Sequence, residues 1–283
     1  MRKKIKMNRD EFADYILNSL RMKNVNKLKS SYKESSLINY LSIDDLLPYE
    51  VASLLDAKFP KKKDLFLCSG PQEKKYVAVN WKQESKIVEE CLYAFQDKRV
   101  IKIISEICQI KNLVGDPELY AGGVSYMNKN CFLNPHIDNS HDRLRKKYRR
   151  LNLLYYVSKR WDENKDGGEL LLYPNGIKFE SISIPSKFNR LVLMRTDNKS
   201  IHAVNHIKSN FEARKCISNY YFSYSSPLDH DYYHSTSFRG FKGEILKDLY
   251  LKINSKSRTL VKKLSGNFFG KFINTGHYRK DKK

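Results

Sequence analysis

The feature that most constrains this chain is a change of period at Asp116-Pro117. Beyond it, GGVSYMN, FLNPHID, RLNLLYYVS, GELLLYP, FNRLVLMR and KCISNYYFSYS follow one another as short runs rich in β-branched, aromatic and leucine residues, separated by polar turns. Six or more such strands predict a β-sandwich or barrel. Before the change, residues 10–115 read as mostly helical. Ser42-Ile43-Asp44-Asp45 and the LLPYEVASLLDAKF that follows predict a capped amphipathic helix, and Glu84 to Phe95 and Lys98 to Ile110 predict two more. The predicted class is α+β, with the helices covering the outer face of one sheet. The predicted division is 1–115 mostly helical, 116–226 β-rich core, and 227–283 a basic helical extension. In that extension Phe241, Ile245, Leu246, Leu249, Ile253, Leu260, Val261 and Leu264 recur at helical spacing.

Composition narrows the class further. In 283 residues, 41% hydrophobic and 12% aromatic content is too much apolar material for a disordered polycation. Five widely spaced cysteines, Cys68, Cys91, Cys108, Cys131 and Cys216, with no C-x-x-C, argue against a disulfide framework and a zinc ribbon, and a reducing, cytoplasmic setting is expected. The basic start is broken by Asp10, Glu11 and Asp14, so no secretory apolar region follows, and no run of 18 apolar residues exists to span a bilayer.

The formal charge of +22 implies long-range attraction to anions. Lys, Asn, Ile and Tyr share A/T-rich codons, so base composition alone could load the surface with lysine. Specific nucleic-acid binding is not expected, since no recognition signature accompanies the charge. The carboxy-terminal basic and aromatic stretch could touch an anionic membrane, but a helix packed on the core is the favoured expectation.

His136 and Asp138 stand two apart in a predicted strand, so both project from one face. Two His and one carboxylate on one face of an octahedron suit non-haem Fe(II) and leave three positions open. The third ligand must come from another strand, and His202 in SIHAVNHI is the candidate. An H-x-D triplet alone is weak, since composition would give roughly 0.4 of them, so its surroundings carry the argument. Arg214 opens the strand RKCISNYYFS, on which Arg214, Cys216, Ser218, Tyr220 and Phe222 share a face. A buried guanidinium needs a planar anion. No protein carboxylate is near in sequence, and the distal carboxylate of 2-oxoglutarate would serve. In RLNLLYYVS, Asn152, Leu154 and Tyr156 form the mixed face suited to a pocket wall, and Tyr156 could donate to the same carboxylate.

From Tyr126 to Phe222 the chain resembles the prolyl hydroxylase branch of the Fe(II)/2-oxoglutarate dioxygenases. A Tyr ten residues before the HxD, then HIDN, YYVSKRWD, DGGELLLYP, FNRLVLM, H-A-V and RKCISNYYF occur in the family's order. The resemblance implies a double-stranded β-helix (jelly-roll) core with flanking helices. It implies His136, Asp138 and His202 as metal ligands, Arg214 and Tyr156 on the distal carboxylate of 2-oxoglutarate, Tyr126 at the pocket wall, and Ser218 as a hydroxyl supporting the salt bridge. The reaction it implies consumes O2 and 2-oxoglutarate, gives succinate and CO2, and hydroxylates an unactivated C–H bond, with ascorbate a candidate reductant.

Two departures stand out. A basic insertion follows the metal strand, with Arg143, Arg145, Lys146, Lys147, Arg149 and Arg150, and Tyr220 stands where oxygen-sensing members usually carry Trp. The substrate expected from the resemblance is a prolyl or other protein residue, while the basic insertion points instead to an anionic sugar or glycan precursor. From a different class, a non-catalytic anion- or nucleic-acid-binding module on the same scaffold is the alternative. Plainer readings hold elsewhere. Gly167-Gly168 is expected to be a turn without chemical role. Trp81 and Trp161 are expected in the core or its rim. Asp229-His230-Asp231 with His234, and His141-Asp142, are expected to be solvated loops.

Overall fold

The computed structural model describes residues 7–78, 83–117, 119–120, 122–228 and 230–264. Trp81, Asp229 and the segment 265–283 lie outside these. In chain order the elements are α1 (Arg9–Met22), α2 (Val25–Glu34), β1 (Tyr40–Ile43), α3 (Tyr49–Lys58), β2 (Phe66–Ser69), β3 (Glu73–Val77), α4 (Lys86–Ala94) and α5 (Lys98–Ile107). There follow β4 (Gly123–Met127), β5 (Phe132–Ile137), β6 (Tyr148–Tyr156), β7 (Leu170–Leu172), β8 (Ile182–Ile184), β9 (Arg190–Arg195), β10 (His202–Val204), β11 (Arg214–Ser223), β12 (Ser237–Phe238) and α6 (Ile245–Leu264).

All strand pairs are antiparallel. The order β1-β9-β6-β11-β4 forms one face and β5-β10-β7-β8 the other, with β3 joining them by pairing with both β4 and β5. This is a double-stranded β-helix, and the alternation read from the sequence explains its layers. Leu151, Leu153, Tyr155 and Val157 of the β6 segment point outward into a core shared with α1, α3, α4 and α5. Leu154 and Tyr156 point inward with Val192, Met194, Leu170 and Leu172. Helix α1 begins with a reciprocal cap between Asn8 and Glu11 and buries Phe12, Ile16 and Leu20, one turn apart. Asn219 and Tyr221 of β11 hydrogen-bond to the carbonyls of Leu92 and Phe95, which locks α4 to the sheet.

Both end regions of the division expected from sequence also supply strands to the sheet. The first 115 residues contribute three strands as well as helices. Residues 40–43, adjoining a predicted helix, form β1 along the edge of β9, because Leu41 and Ile43 alternate onto the core shared with the helices. The helix starts later, at Tyr49. Asp44 caps nothing and instead binds Arg190 and Lys187 across the sheet edge. At the other end, β12 pairs with β5, and α6 packs on β12 through polar contacts. The Ser255 hydroxyl accepts from the Phe238 N–H, Arg258 donates to the Thr236 carbonyl, and Asp248 holds Arg239. Those bonds select the side of α6 that carries Leu251 and Ser255 as its inner face, so the apolar stripe expected to face the core points away from it.

Candidate metal and co-substrate site

Strand β5 delivers His136 and, one residue past its end, Asp138. Strand β10 pairs with β5 in a register that sets His202 directly opposite His136. One ligand atom from each of the three residues lies within 4.8 Å of the others. The Nε2 atoms of His136 and His202 each stand 3.5 Å from one oxygen of Asp138. On the far side of each ring, Nδ1 meets a backbone carbonyl, Asn134 O at 2.9 Å and Ser200 O at 3.0 Å. A carbonyl only accepts, so Nδ1 carries the proton and Nε2 turns its lone pair into the cluster. The donor set therefore fits a divalent first-row metal held by two neutral imidazoles and a carboxylate.

Protonation matches. Burial, aided by the neighbouring His136, lowers His202 to about 4, so it is neutral at pH 7. Burial alone would raise the Asp138 carboxyl, but Arg149 and the two imidazoles together hold it well below the usual carboxylate range.

Arg149 departs from expectation. It belongs to β6 and not to an exposed basic loop, is 2% exposed, and places Nη1 3.1 Å from Asp138 Oδ2. Its Nη2 donates to Asn139 Oδ1 at 2.9 Å, and its guanidinium lies 4.1 Å above the Tyr220 ring. Asn152, from the mixed face of the same strand, donates to Asp138 Oδ2 at 2.7 Å. Most other bases of the insertion are also engaged. Arg145 stacks on Tyr233, Lys147 pairs with Asp142, and Arg150 donates to Ser223, while Arg143 and Lys146 are exposed. The insertion is thus largely internal structure.

Arg214 is 3% exposed at the inward start of β11. Its Nε donates to Ser186 Oγ at 2.7 Å and its Nη2 to Tyr156 Oη at 3.2 Å, and Nη1 approaches the Met127 sulfur at 3.7 Å. Among the described residues no carboxylate lies within salt-bridge distance of it. A buried cation in such surroundings calls for a bound anion, which suits the far carboxylate of 2-oxoglutarate. Burial raises the Tyr156 phenol to about 12, so it keeps its proton and can donate. Gly168 has φ +68°, and a Cβ there would stand 2.4 Å from Ile207 Cδ1 and 3.0 Å from Arg214 Cδ. This glycine therefore lets the connection between β6 and β7, bridged to Ile207 at Gly167, pass close to the arginine stem, a role the sequence did not suggest.

Two expected residues are placed elsewhere. Met127 pairs with Arg214 and faces the cavity, whereas Tyr126 pairs with Lys215 on the opposite face and packs edge-on against Tyr76. Ser218 donates to the Gly123 carbonyl, and the hydroxyl beside Arg214 is that of Ser186. Nothing in the local sequence distinguishes Ser186, which arrives from the segment between β8 and β9. Phe238 of β12 likewise carries no signal in its local sequence. It pairs with His136 and stacks on its ring at 5.1 Å, shielding it.

His141 is buried against Tyr148, with Nδ1 on Ser140 Oγ, and Asp142 accepts from the Lys146 and Lys147 N–H groups, so the loop expected to be solvated is packed against the fold. His234 lies in a narrow crevice beside Asp138 together with Asn139, Ser140, Thr196, Asp197 and Tyr232. Thr196 Oγ1, Tyr232 Oη and His234 Nε2 there have no hydrogen-bond partner. Trp161 is buried beside Met127 and Ile207, as expected of a core residue.

A double-stranded β-helix carrying two imidazoles and a carboxylate, with a buried arginine that has no acidic partner among the described residues, is the framework of a non-haem metal oxygenase. Residues 122–222 match the family model described as the 2OG-Fe(II) oxygenase superfamily. No curated protein matches the chain in sequence. Among solved structures, it is similar to the prolyl 4-hydroxylases from Phytophthora capsici at 18% identity, over 97% of this chain and 83% of that one, with a TM-score of 0.54. It is also similar to a Pseudomonas putida prolyl-4-hydroxylase at 13% identity, over 69% of this chain and 98% of that one, with a TM-score of 0.52.

Proposed function

We propose that this protein is an Fe(II)- and 2-oxoglutarate-dependent hydroxylase that uses His136, Asp138 and His202 as metal ligands and Arg214 as the anchor of the co-substrate. The observation that carries the reading is Arg214, a buried guanidinium inside the same barrel as a ready three-ligand cluster and without a carboxylate partner among the described residues. When bound, Fe(II) supplies the chemistry by which 2-oxoglutarate and O2 yield succinate, CO2 and one hydroxyl group on the substrate.

The chain's own residues do the rest. The Asn134 and Ser200 carbonyls fix both imidazoles in the coordinating tautomer. Arg149 and Asn152 hold one carboxylate oxygen of Asp138 and so restrict its rotation. Ser186 orients Arg214, and Tyr156 adds a second donor for the distal carboxylate. Phe238 covers one face of His136 and excludes water from that side.

For the substrate, a prolyl or other protein residue and an anionic sugar or glycan precursor are the two classes the sequence raised. Internal use of most of the basic insertion removes the reason for requiring the substrate to be anionic.

The test is succinate release from 2-oxoglutarate with Fe(II) and ascorbate, alongside calorimetry of 2-oxoglutarate with the Mn(II)-loaded protein. Arg214→Met is expected to weaken 2-oxoglutarate about 100-fold, the scale of a lost charge-assisted pair, while Mn(II) affinity is unchanged. Equal affinity in parent and variant would overturn the assignment of Arg214.

A further inference from the structure

We propose that α6 is an interfacial helix that lies on an anionic lipid surface. Ile245, Leu246, Leu249, Tyr250, Ile253 and Leu260 are between 53 and 84% exposed, and their spacing places them on one side of the helix. Six large apolar side chains on one such side are far more than the scattered exposed residue that any surface carries. The opposite side is committed to the fold. Leu251 and Ser255 are buried there, Ser255 and Arg258 bind β12, and Ser235 bonds to Thr259. The helix therefore cannot rotate to hide its apolar side without breaking the contacts that seat β12 beside His136.

Charge selects the occupant. Lys252 and Lys256 stand exposed along one rim of the apolar side. The helix has one acidic residue, Asp248, which is bound to Arg239 and Lys252, against six basic ones. A second copy would bring an identical basic rim from another +22 chain against it. The chain's own segment 265–283 carries five basic residues and one acidic, so it too has the same sign. A surface of acidic phospholipid headgroups supplies the opposite charge and accepts the apolar side chains below it. No helix among the described residues is long and apolar enough to cross a membrane, which agrees with a helix lying in the interface plane. Through β12, the lipid-facing helix is one element away from His136.

The proposal is independent of metal and co-substrate and is tested on the full chain by sedimentation with vesicles. The chain is expected to bind phosphatidylcholine vesicles containing about 30% phosphatidylserine and to bind pure phosphatidylcholine far more weakly. Leu246→Ser, Leu249→Ser and Ile253→Ser together preserve net charge and alter only exposed side chains, so the fold is retained. This variant is expected to lose at least about tenfold in partitioning. Lys146→Ser with Lys199→Ser, which lowers the charge away from α6, is expected to lose less than about threefold. Undiminished binding by the triple Ser variant would overturn the proposal, since surface charge alone would then explain attachment. Failure of the parent chain to bind anionic vesicles would also overturn it, and a dimer that the triple variant dissolves would then assign the face to a second copy.

Discussion

Replacing Arg149 by Met tests the electrostatics of the site without touching a metal ligand. In the metal-free chain Arg149 is the cation nearest to the buried Asp138 carboxylate, 3.1 Å from Oδ2, while His202 is neutral at pH 7. Met retains much of the volume and removes the charge. Breaking a buried pair from one side typically costs about 3–5 kcal/mol, because the remaining charge is left uncompensated. For a chain of this size about 3 kcal/mol corresponds to a loss of roughly 5 °C in melting temperature.

A bound divalent ion supplies positive charge to the same carboxylate, so the penalty should shrink when the variant is melted with saturating Mn(II). Metal affinity should nonetheless fall about 10- to 100-fold, since Arg149 also fixes the orientation of Asp138. Thermal unfolding with and without Mn(II), and a Mn(II) titration, measure these quantities. The decisive comparison adds Asp138→Asn. If the cost of Arg149→Met is an uncompensated charge, the metal-free double variant should be more stable than Arg149→Met alone. Strictly additive losses would refute the reasoning and leave Arg149 as a packing residue on Tyr220.

Three further outcomes follow from the geometry. Gly168→Ala places a Cβ within 2.4 Å of Ile207 at φ +68° and should cost at least about 1–2 kcal/mol in urea unfolding, with a weaker 2-oxoglutarate complex as Arg214 shifts. Ser186→Ala removes the acceptor of the Arg214 Nε–H and should weaken 2-oxoglutarate about 5- to 10-fold in calorimetry, with Mn(II) affinity unchanged. Hydrogen bonds from Arg190 and Lys187 lower Asp44 to about 2, below its unfolded value near 4, so its contribution is present above pH 4 and fades as pH falls toward 2. Asp44 is partly exposed, so screening reduces that contribution to about 1 kcal/mol. Asp44→Asn should destabilise the chain by that amount at pH 7 in urea unfolding and by almost nothing near pH 2.

The sequence determined whatever depends on neighbours along the chain. Strand alternation placed Asn152, Leu154 and Tyr156 inward and Leu151, Leu153 and Tyr155 outward, and two-residue spacing put His136 and Asp138 together. Helices α4 and α5 fell where apolar spacing put them.

Tertiary structure decided what depends on register and on partners distant in the chain. The half-turn between Tyr126 and Met127 is settled only by which of them lies across from Arg214. Ser186 reaches Arg214 from a segment 28 positions away, and Arg149 looked like surface charge until the fold set it against Asp138. The stripe on α6 shows the same limit. Periodicity reveals that a helix has an apolar side, but the hydrogen bonds of Ser255, Arg258 and Asp248 chose which side faces the protein. Directional polar contacts between distant residues leave no periodic trace in a sequence, and in this molecule they orient the carboxylate, the arginine and the last helix.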